Sequence, residues 1–147
     1  MQACDGDEVA LSLMVTGSPA TDELAAIGDA LSSFNDADVG PSGRRPLAVV
    51  VRDEADALVA GISGYTAWGW LYVQWLWVAE TRRGQGIAGR MLEAAEAEAR
   101  ARGCHGAYID TFSPIALQVY RRAGYVPFGD LEDFPAGRTR TFLQKQL

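Results

Sequence analysis

The stretch that decides the fold is Leu71-Tyr72-Val73-Gln74-Trp75-Leu76-Trp77-Val78-Ala79-Glu80-Thr81-Arg82-Arg83-Gly84-Gln85-Gly86-Ile87-Ala88-Gly89. Its first part, 71–78, is short and apolar on both faces. That is the pattern of a central strand covered on each side. Its middle is a glycine turn beside two arginines. Its end opens a helix, because Ile87, Met91, Ala95 and Ala99 recur at four-residue spacing and Gly103 is a natural stop. The spacing predicts a helix over 87–102, with Glu96–Arg100 and Glu98–Arg102 supporting its solvent face.

Working outward, Val9–Val15 reads as a first strand, ended by Gly17-Ser18-Pro19. Thr21-Asp22-Glu23 starts a helix whose Leu24, Ile27, Leu31 and Phe34 form a stripe expected to face the core. A polar loop is expected over 36–45. Strands are expected over 46–51 and 58–66, forming an antiparallel hairpin, with Gly61 and Gly64 marking twist, a bulge or close packing. Downstream, 106–111 is a strand. Ser113 caps a short helix with Pro114 at its first position, ending near Gly124. Strands at 125–128 and 139–143 follow, joined by an acidic excursion through Leu131-Glu132-Asp133-Phe134-Pro135 that reads as a gate, a subunit contact or a solvated turn. The expected fold is α/β: one domain over 1–147, with a single mixed, mostly antiparallel sheet flanked by helices.

Composition narrows the function. The chain has 147 residues, 48% of them hydrophobic and 22% charged, as in an ordinary globule. No stretch is long and apolar enough for a membrane span, and Met1–Asp5 lacks a basic, then apolar, signal pattern, so a cytoplasmic location is expected. Only Cys4, Cys104 and His105 are soft-ligand residues, so no metal site is expected. The net charge of −6 disfavours nucleic acid and suits a cationic substrate.

Gly84 and Gly86 let the backbone turn tightly and come close to a ligand. The helix that follows exposes unpaired N–H groups and a positive dipole end, and Arg82 and Arg83 add charge. An anion cradle and an ordinary β–α turn both fit this segment. A P-loop does not, since no Lys-Ser/Thr pair follows. A dinucleotide fold is disfavoured because several strands precede the turn.

Arg83-Gly84-Gln85-Gly86-Ile87-Ala88 resembles the Arg/Gln-x-x-Gly-x-Gly/Ala pattern of the GCN5-related N-acetyltransferase (GNAT) superfamily, and Ala116–Tyr125 resembles its second hallmark segment. The resemblance covers the chain in element order and is strongest from Leu71 to Phe128. It implies an acetyl-CoA-dependent N-acetyltransferase. The pyrophosphate would lie on Arg83, Gly84, Gln85, Gly86, Ile87, Ala88 and Gly89. The pantetheine arm would pair with the backbone at Trp77, Val78 and Ala79. The strands 71–78 and 106–111 would splay to admit the thioester. A homodimer is expected from the same resemblance and the many aromatics.

Acyl transfer needs a neutral amine, a polarised carbonyl and a proton for the leaving thiolate. No nucleophile–histidine arrangement is evident, so direct attack is the simpler route. The resemblance places Tyr120 as proton donor, and a phenol is protonated at neutral pH. A core tyrosine is the competing reading. The resemblance implies a glutamate base on the 71–78 strand, but Gln74 stands there. Asp110 is the remaining candidate base, with a structural strand-end aspartate as its alternative. Trp68, Trp70, Trp75 and Trp77 read as core, dimer contact or a stacking surface for an organic amine. A small-molecule amine is the expected acceptor. A peptide or protein amine is the nearest variant, and the missing glutamate also fits a weakly catalytic acyl-CoA-binding module.

Overall fold

A computed structural model describes residues 10–147, which divide into two compact units, the first ending at Gly40 and the second Pro41–Leu147. The first unit contains helix α1, Thr21–Val39, which stops at Gly40 with a positive φ of 89°. Helical hydrogen bonding continues through Asp36, whose carbonyl accepts from the Gly40 N–H at 3.0 Å, so the helix extends beyond the expected loop start. The stripe of Leu24, Ile27, Leu31 and Phe34 is exposed rather than buried. The strand expected at Val9–Val15 is not formed: Val9 lies outside the described residues, and 10–15 are exposed and pair with no strand. Alternating residues alone do not make a strand, because its backbone groups need a neighbouring strand to bond.

In the second unit, six strands are ordered β1-β2-β3-β4-β6-β5. They are β1 (Arg45–Arg52), β2 (Leu58–Ala67), β3 (Trp70–Val78), β4 (Gly106–Thr111), β5 (Val126–Glu132) and β6 (Thr139–Gln146). Only β3 and β4 run parallel. Helix α2 (Ile87–Ala101) and helix α3 (Pro114–Arg122) complete the unit. Leu131 and Glu132 belong to β5, so the expected acidic excursion shrinks to the turn of a β5–β6 hairpin.

The core lies under α2. Met91, Leu92, Ala95 and Ala99 pack with Leu47 of β1, Ala60 and Ile62 of β2, Leu71 and Val73 of β3, and Ile109 of β4. The four-residue apolar spacing of α2 therefore reads correctly, and Ser113 caps α3 by accepting from the Ala116 N–H at 3.3 Å. The far end of α2 is tied down by Arg102. Its guanidinium donates to Glu98 at 2.9 Å, to the Pro46 carbonyl at 3.1 Å and to the Thr66 hydroxyl at 3.1 Å. The expected Glu96–Arg100 pair does not form. Glu96 sits on the inward stripe of α2, 2% exposed, and meets Lys145 of β6 instead.

One irregularity sets which side chains of β3 face where. Gly64 pairs with Val73 but Ser63 pairs with Trp75, leaving Gln74 as an extra residue. A bulge of this kind shifts the alternation of a strand by one. Leu71 and Val73 are core residues before it, and Leu76 and Val78 pack against the core after it. Simple alternation would have turned Leu76 and Val78 the other way. The bulge thereby turns Trp75 and Trp77 to the face that Trp70 and Tyr72 already occupy, with Trp75 69% and Trp77 49% exposed. Gly64 is required at this crossing, because a Cβ there would run into the Tyr72 carbonyl. Gly64→Val should cost about 1–3 kcal/mol of stability, measured by urea denaturation. An unchanged midpoint would mean that the β2–β3 crossing relaxes freely.

Candidate active site

Strands β3 and β4 pair from Trp70–Gly106 to Val73–Ile109 and no further. Beyond that point β3 continues to Val78 and β4 to Thr111 without mutual hydrogen bonds. A cavity of about 870 Å³ opens there, bounded by the end of β3, the start of α2, the end of β4 and α3. Among the residues expected at the site, Trp77, Val78, Arg83, Gly84, Gly86, Ile87, Ala88, Gly89 and Tyr120 line it. Ala79, Gln85 and Asp110 do not. Ala79 turns its N–H to the Val59 carbonyl at 2.8 Å, and Gln85 sits in the loop between two lining glycines.

The loop is built for close approach. Gly84 and Gly86 have φ of 76° and 75°, and nothing lies within 4 Å of where a Cβ would stand on either. No side chain caps α2, and its first internal hydrogen bond is Arg90 N–H to the Gly86 carbonyl at 3.2 Å. The N–H groups of Ile87, Ala88 and Gly89 therefore lack helical partners at the cavity wall, with the positive end of the helix dipole behind them. Arg83 Nε donates to the Val78 carbonyl at 3.1 Å and binds this loop to the end of β3. A narrow diphosphate and a linear amide-bearing arm fit such a wall.

Tyr120 of α3 is 5% exposed and lines the cavity. Its hydroxyl makes no hydrogen bond among the described residues. Every fully buried side-chain polar atom among them is partnered, so that hydroxyl lies on the accessible cavity wall. Burial, and secondly the negative charge of Asp110, push its pKa up to about 12. Both effects keep the proton on the phenol, as a donor requires.

Asp110 faces a different set of groups. Its Oδ1 accepts from Arg140 Nη2 at 2.6 Å and Nε at 2.9 Å, and its Oδ2 accepts from the Tyr72 hydroxyl at 2.9 Å. Burial, with that hydrogen bond next, pushes the Tyr72 phenol up to about 12. Tyr72 stacks on Tyr108 with ring centres 4.5 Å apart, and Tyr65 meets Tyr72 edge-on at 5.6 Å. These tyrosines form an aromatic surface that ends in the Asp110–Arg140 ion pair, and none of them lines the cavity. Of the four tryptophans, only Trp77 lines the cavity, whereas Trp70 packs edge-on against His105 at 5.3 Å. Burial raises the Cys104 thiol above its ordinary value, which leaves it a poor nucleophile.

Glu96, Lys145 and Arg140 were not legible as site residues. Glu96 and Lys145 line the cavity and pair at 2.6 Å, and the Tyr125 hydroxyl donates to Glu96 at 3.0 Å. The one available signal was that Glu96 shares the helical stripe of Leu92 and Ala99. Arg140 had none, since its partner lies 30 residues away across the sheet.

A sheet parted between its two parallel strands, a glycine-led helix start and a tyrosine whose hydroxyl reaches the cavity wall make up the candidate site. Residues 21–125 match the family model described as "Acetyltransferase (GNAT) family". The chain is 47% identical over 122 residues to acetyltransferase Atu2258 of Agrobacterium fabrum, covering 83% of this chain and 89% of the relative. It is 37% identical over 107 residues to blasticidin-S acetyltransferase of Streptomyces morookaense, covering 70% and 79% respectively. A crystal structure from Agrobacterium tumefaciens superposes with a TM-score of 0.88 at 42% identity, over 93% of this chain and all of that one. The chain belongs to the GNAT acetyltransferase family. It is an acetyl-CoA-dependent acetyltransferase.

The raised Tyr120 phenol has a direct signature. In the alkaline tyrosinate absorbance of wild type minus Tyr120→Phe, the difference should emerge with a midpoint near about 12. A midpoint at the ordinary phenol value of roughly 10 would show that the hydroxyl is not held as described.

Proposed function

We propose that this enzyme acetylates a primary amine of a small, positively charged organic molecule by direct attack, with Tyr120 as the proton donor. The observation that carries the reading is the meeting of three features in one cavity: helix-start N–H groups without helical partners, a strand end unpaired on its β4 side and the Tyr120 hydroxyl. Acetyl-CoA supplies the acetyl group as an activated thioester. Arg83, Gly84, Gly86, Ile87, Ala88 and Gly89 hold its diphosphate, mainly through backbone N–H groups. The backbone at Trp77 and Val78, where the end of β3 lines the cavity, holds the pantetheine arm as an added strand would; Ala79, expected with them, is turned to β2.

The neutral amine forms the new N–C bond while the C–S bond breaks. Tyr120 gives its proton to the sulfur, and the amine proton passes to water. Asp110 acts here through position and charge. Its oxygens are occupied by Arg140 and Tyr72, so it fixes the aromatic surface and, by its charge, keeps the Tyr120 proton in place. The amine's organic body lies against that surface of Tyr72, Trp75 and Trp77, which supports a cation by its ring faces. The relative named for blasticidin S supports a small-molecule acceptor. A homodimer belongs to the same reading, supported by the exposed Val126, Phe128 and Leu131 on edge strand β5. Sedimentation velocity decides it.

An amine panel assayed with acetyl-CoA, reading thiol release and product mass, tests the acceptor class. Turnover of small cationic amines is expected, and turnover confined to peptides would overturn the assignment. Tyr120→Phe should lower kcat on the order of 100-fold with acetyl-CoA affinity unchanged. Equal single-turnover rates would reject the donor role. Gly86→Val places a branched side chain at a φ of 75° on the cavity wall. It should weaken acetyl-CoA binding at least about tenfold, roughly the loss of one hydrogen bond to a charged group, as read by calorimetry on folded protein.

A further inference from the structure

Glu96 is a charged residue in the core, and the chemistry above does not use it. It is 2% exposed, on the inward face of α2. Its Oε1 accepts from Lys145 Nζ at 2.6 Å and its Oε2 from the Tyr125 hydroxyl at 3.0 Å. Lys145 Nζ also donates to the carbonyl of Ala123, the residue that closes α3, at 2.8 Å. The Tyr125 N–H donates to the carbonyl of Tyr120 itself at 3.0 Å. The pair of Glu96 on α2 and Lys145 on β6 thus reaches the end of α3 at two points, the Ala123 carbonyl and Tyr125, the residue that joins α3 to β5. The last turn of α3 carries the Tyr120 hydroxyl.

Helix α3 has nine residues. A helix so short does not hold its own geometry, because few internal bonds offset the cost of starting it. Its C-terminal carbonyls need partners, and a cation there is favoured by the dipole. Lys145 supplies both, and Glu96 fixes Lys145 from below. Stability alone is a weak explanation for such a pair, since apolar replacement of a buried ion pair is often neutral or better. What an apolar pair cannot supply is a donor at the Ala123 carbonyl.

We infer that Glu96 and Lys145 are positioning residues for the reaction: together they set where the last turn of α3 stands, and hence where the Tyr120 hydroxyl meets the substrate sulfur. The inference rests on the proton-donor reading of Tyr120. The requirement is geometric, since a misplacement near 1 Å is enough to cost about 100-fold in rate.

The test is a mutant cycle on the full-length enzyme with acetyl-CoA and an active amine. Glu96→Gln/Lys145→Met removes both charges, keeps an acceptor for the Tyr125 hydroxyl and leaves the Ala123 carbonyl without its donor. In the wild-type background kcat should fall about tenfold or more, with calorimetric acetyl-CoA affinity within about twofold. In the Tyr120→Phe background the same change should leave kcat unaltered, because there is no hydroxyl left to misplace. Equal fold losses in both backgrounds, or no loss in either, would overturn the inference. Tyr125→Phe, which removes only the hydroxyl on Glu96, carries the same cycle if the double variant does not fold. If Tyr120→Phe alone leaves kcat intact, the donor reading fails first. Additive losses beside an effective Tyr120→Phe sink the positioning role alone.

Discussion

Hydrogen bonding between β3 and β4 stops at Val73 and Ile109, and the cavity exists because it stops there. A parallel pair that ran on in the same register would set Trp75 against Thr111 and close the gap between the strands. The extra residue Gln74 lies one position past the last shared pair. It bends and re-aims β3 at the point where its neighbour departs. The same residue decides that Leu76 and Val78 return to the core, where they hold the free part of β3 against α2. The strand end is therefore fixed on one side and open on the other.

The electrostatics follow from the same parting. Two carboxylates are held below the surface near the opening, and each is neutralised from β6: Asp110 by Arg140 and Glu96 by Lys145. One strand thus supplies both counter-charges, five residues apart and therefore on opposite faces of the sheet. Breaking either pair would leave an uncompensated buried charge, a cost of about 3–5 kcal/mol. The pairs constrain β6 against β4 and α2, and so constrain the two walls of the cavity at once.

Much of this was legible in the sequence because it is local. The apolar spacing of Ile87, Met91, Ala95 and Ala99 gave α2, the Ser113-Pro114 pair gave the start of α3, and the glycines at 84 and 86 gave the turn between strand and helix. The cavity-lining residues of that turn were readable for the same reason. What failed was non-local. Residues 10–15 have the alternation of a strand and no partner to complete it. Glu96 looked like half of a surface pair with Arg100, yet its partner is 49 residues away. The faces of Trp75 and Trp77 depended on a bulge recorded only in the pairing with β2. Asp110 was visible as a carboxylate at a strand end, but its donors, Tyr72 and Arg140, come from two other strands.

The half-exposed ring of Trp77 forms part of the cavity wall. An indole's emission tracks how freely water relaxes around it, so a molecule entering that space displaces the solvent the ring senses. Occupancy is in this way written into the protein's own fluorescence. Trp68 and Trp70, in and beside the β2–β3 turn, sit at the other end of the strand and supply a background against which the change at Trp77 is read.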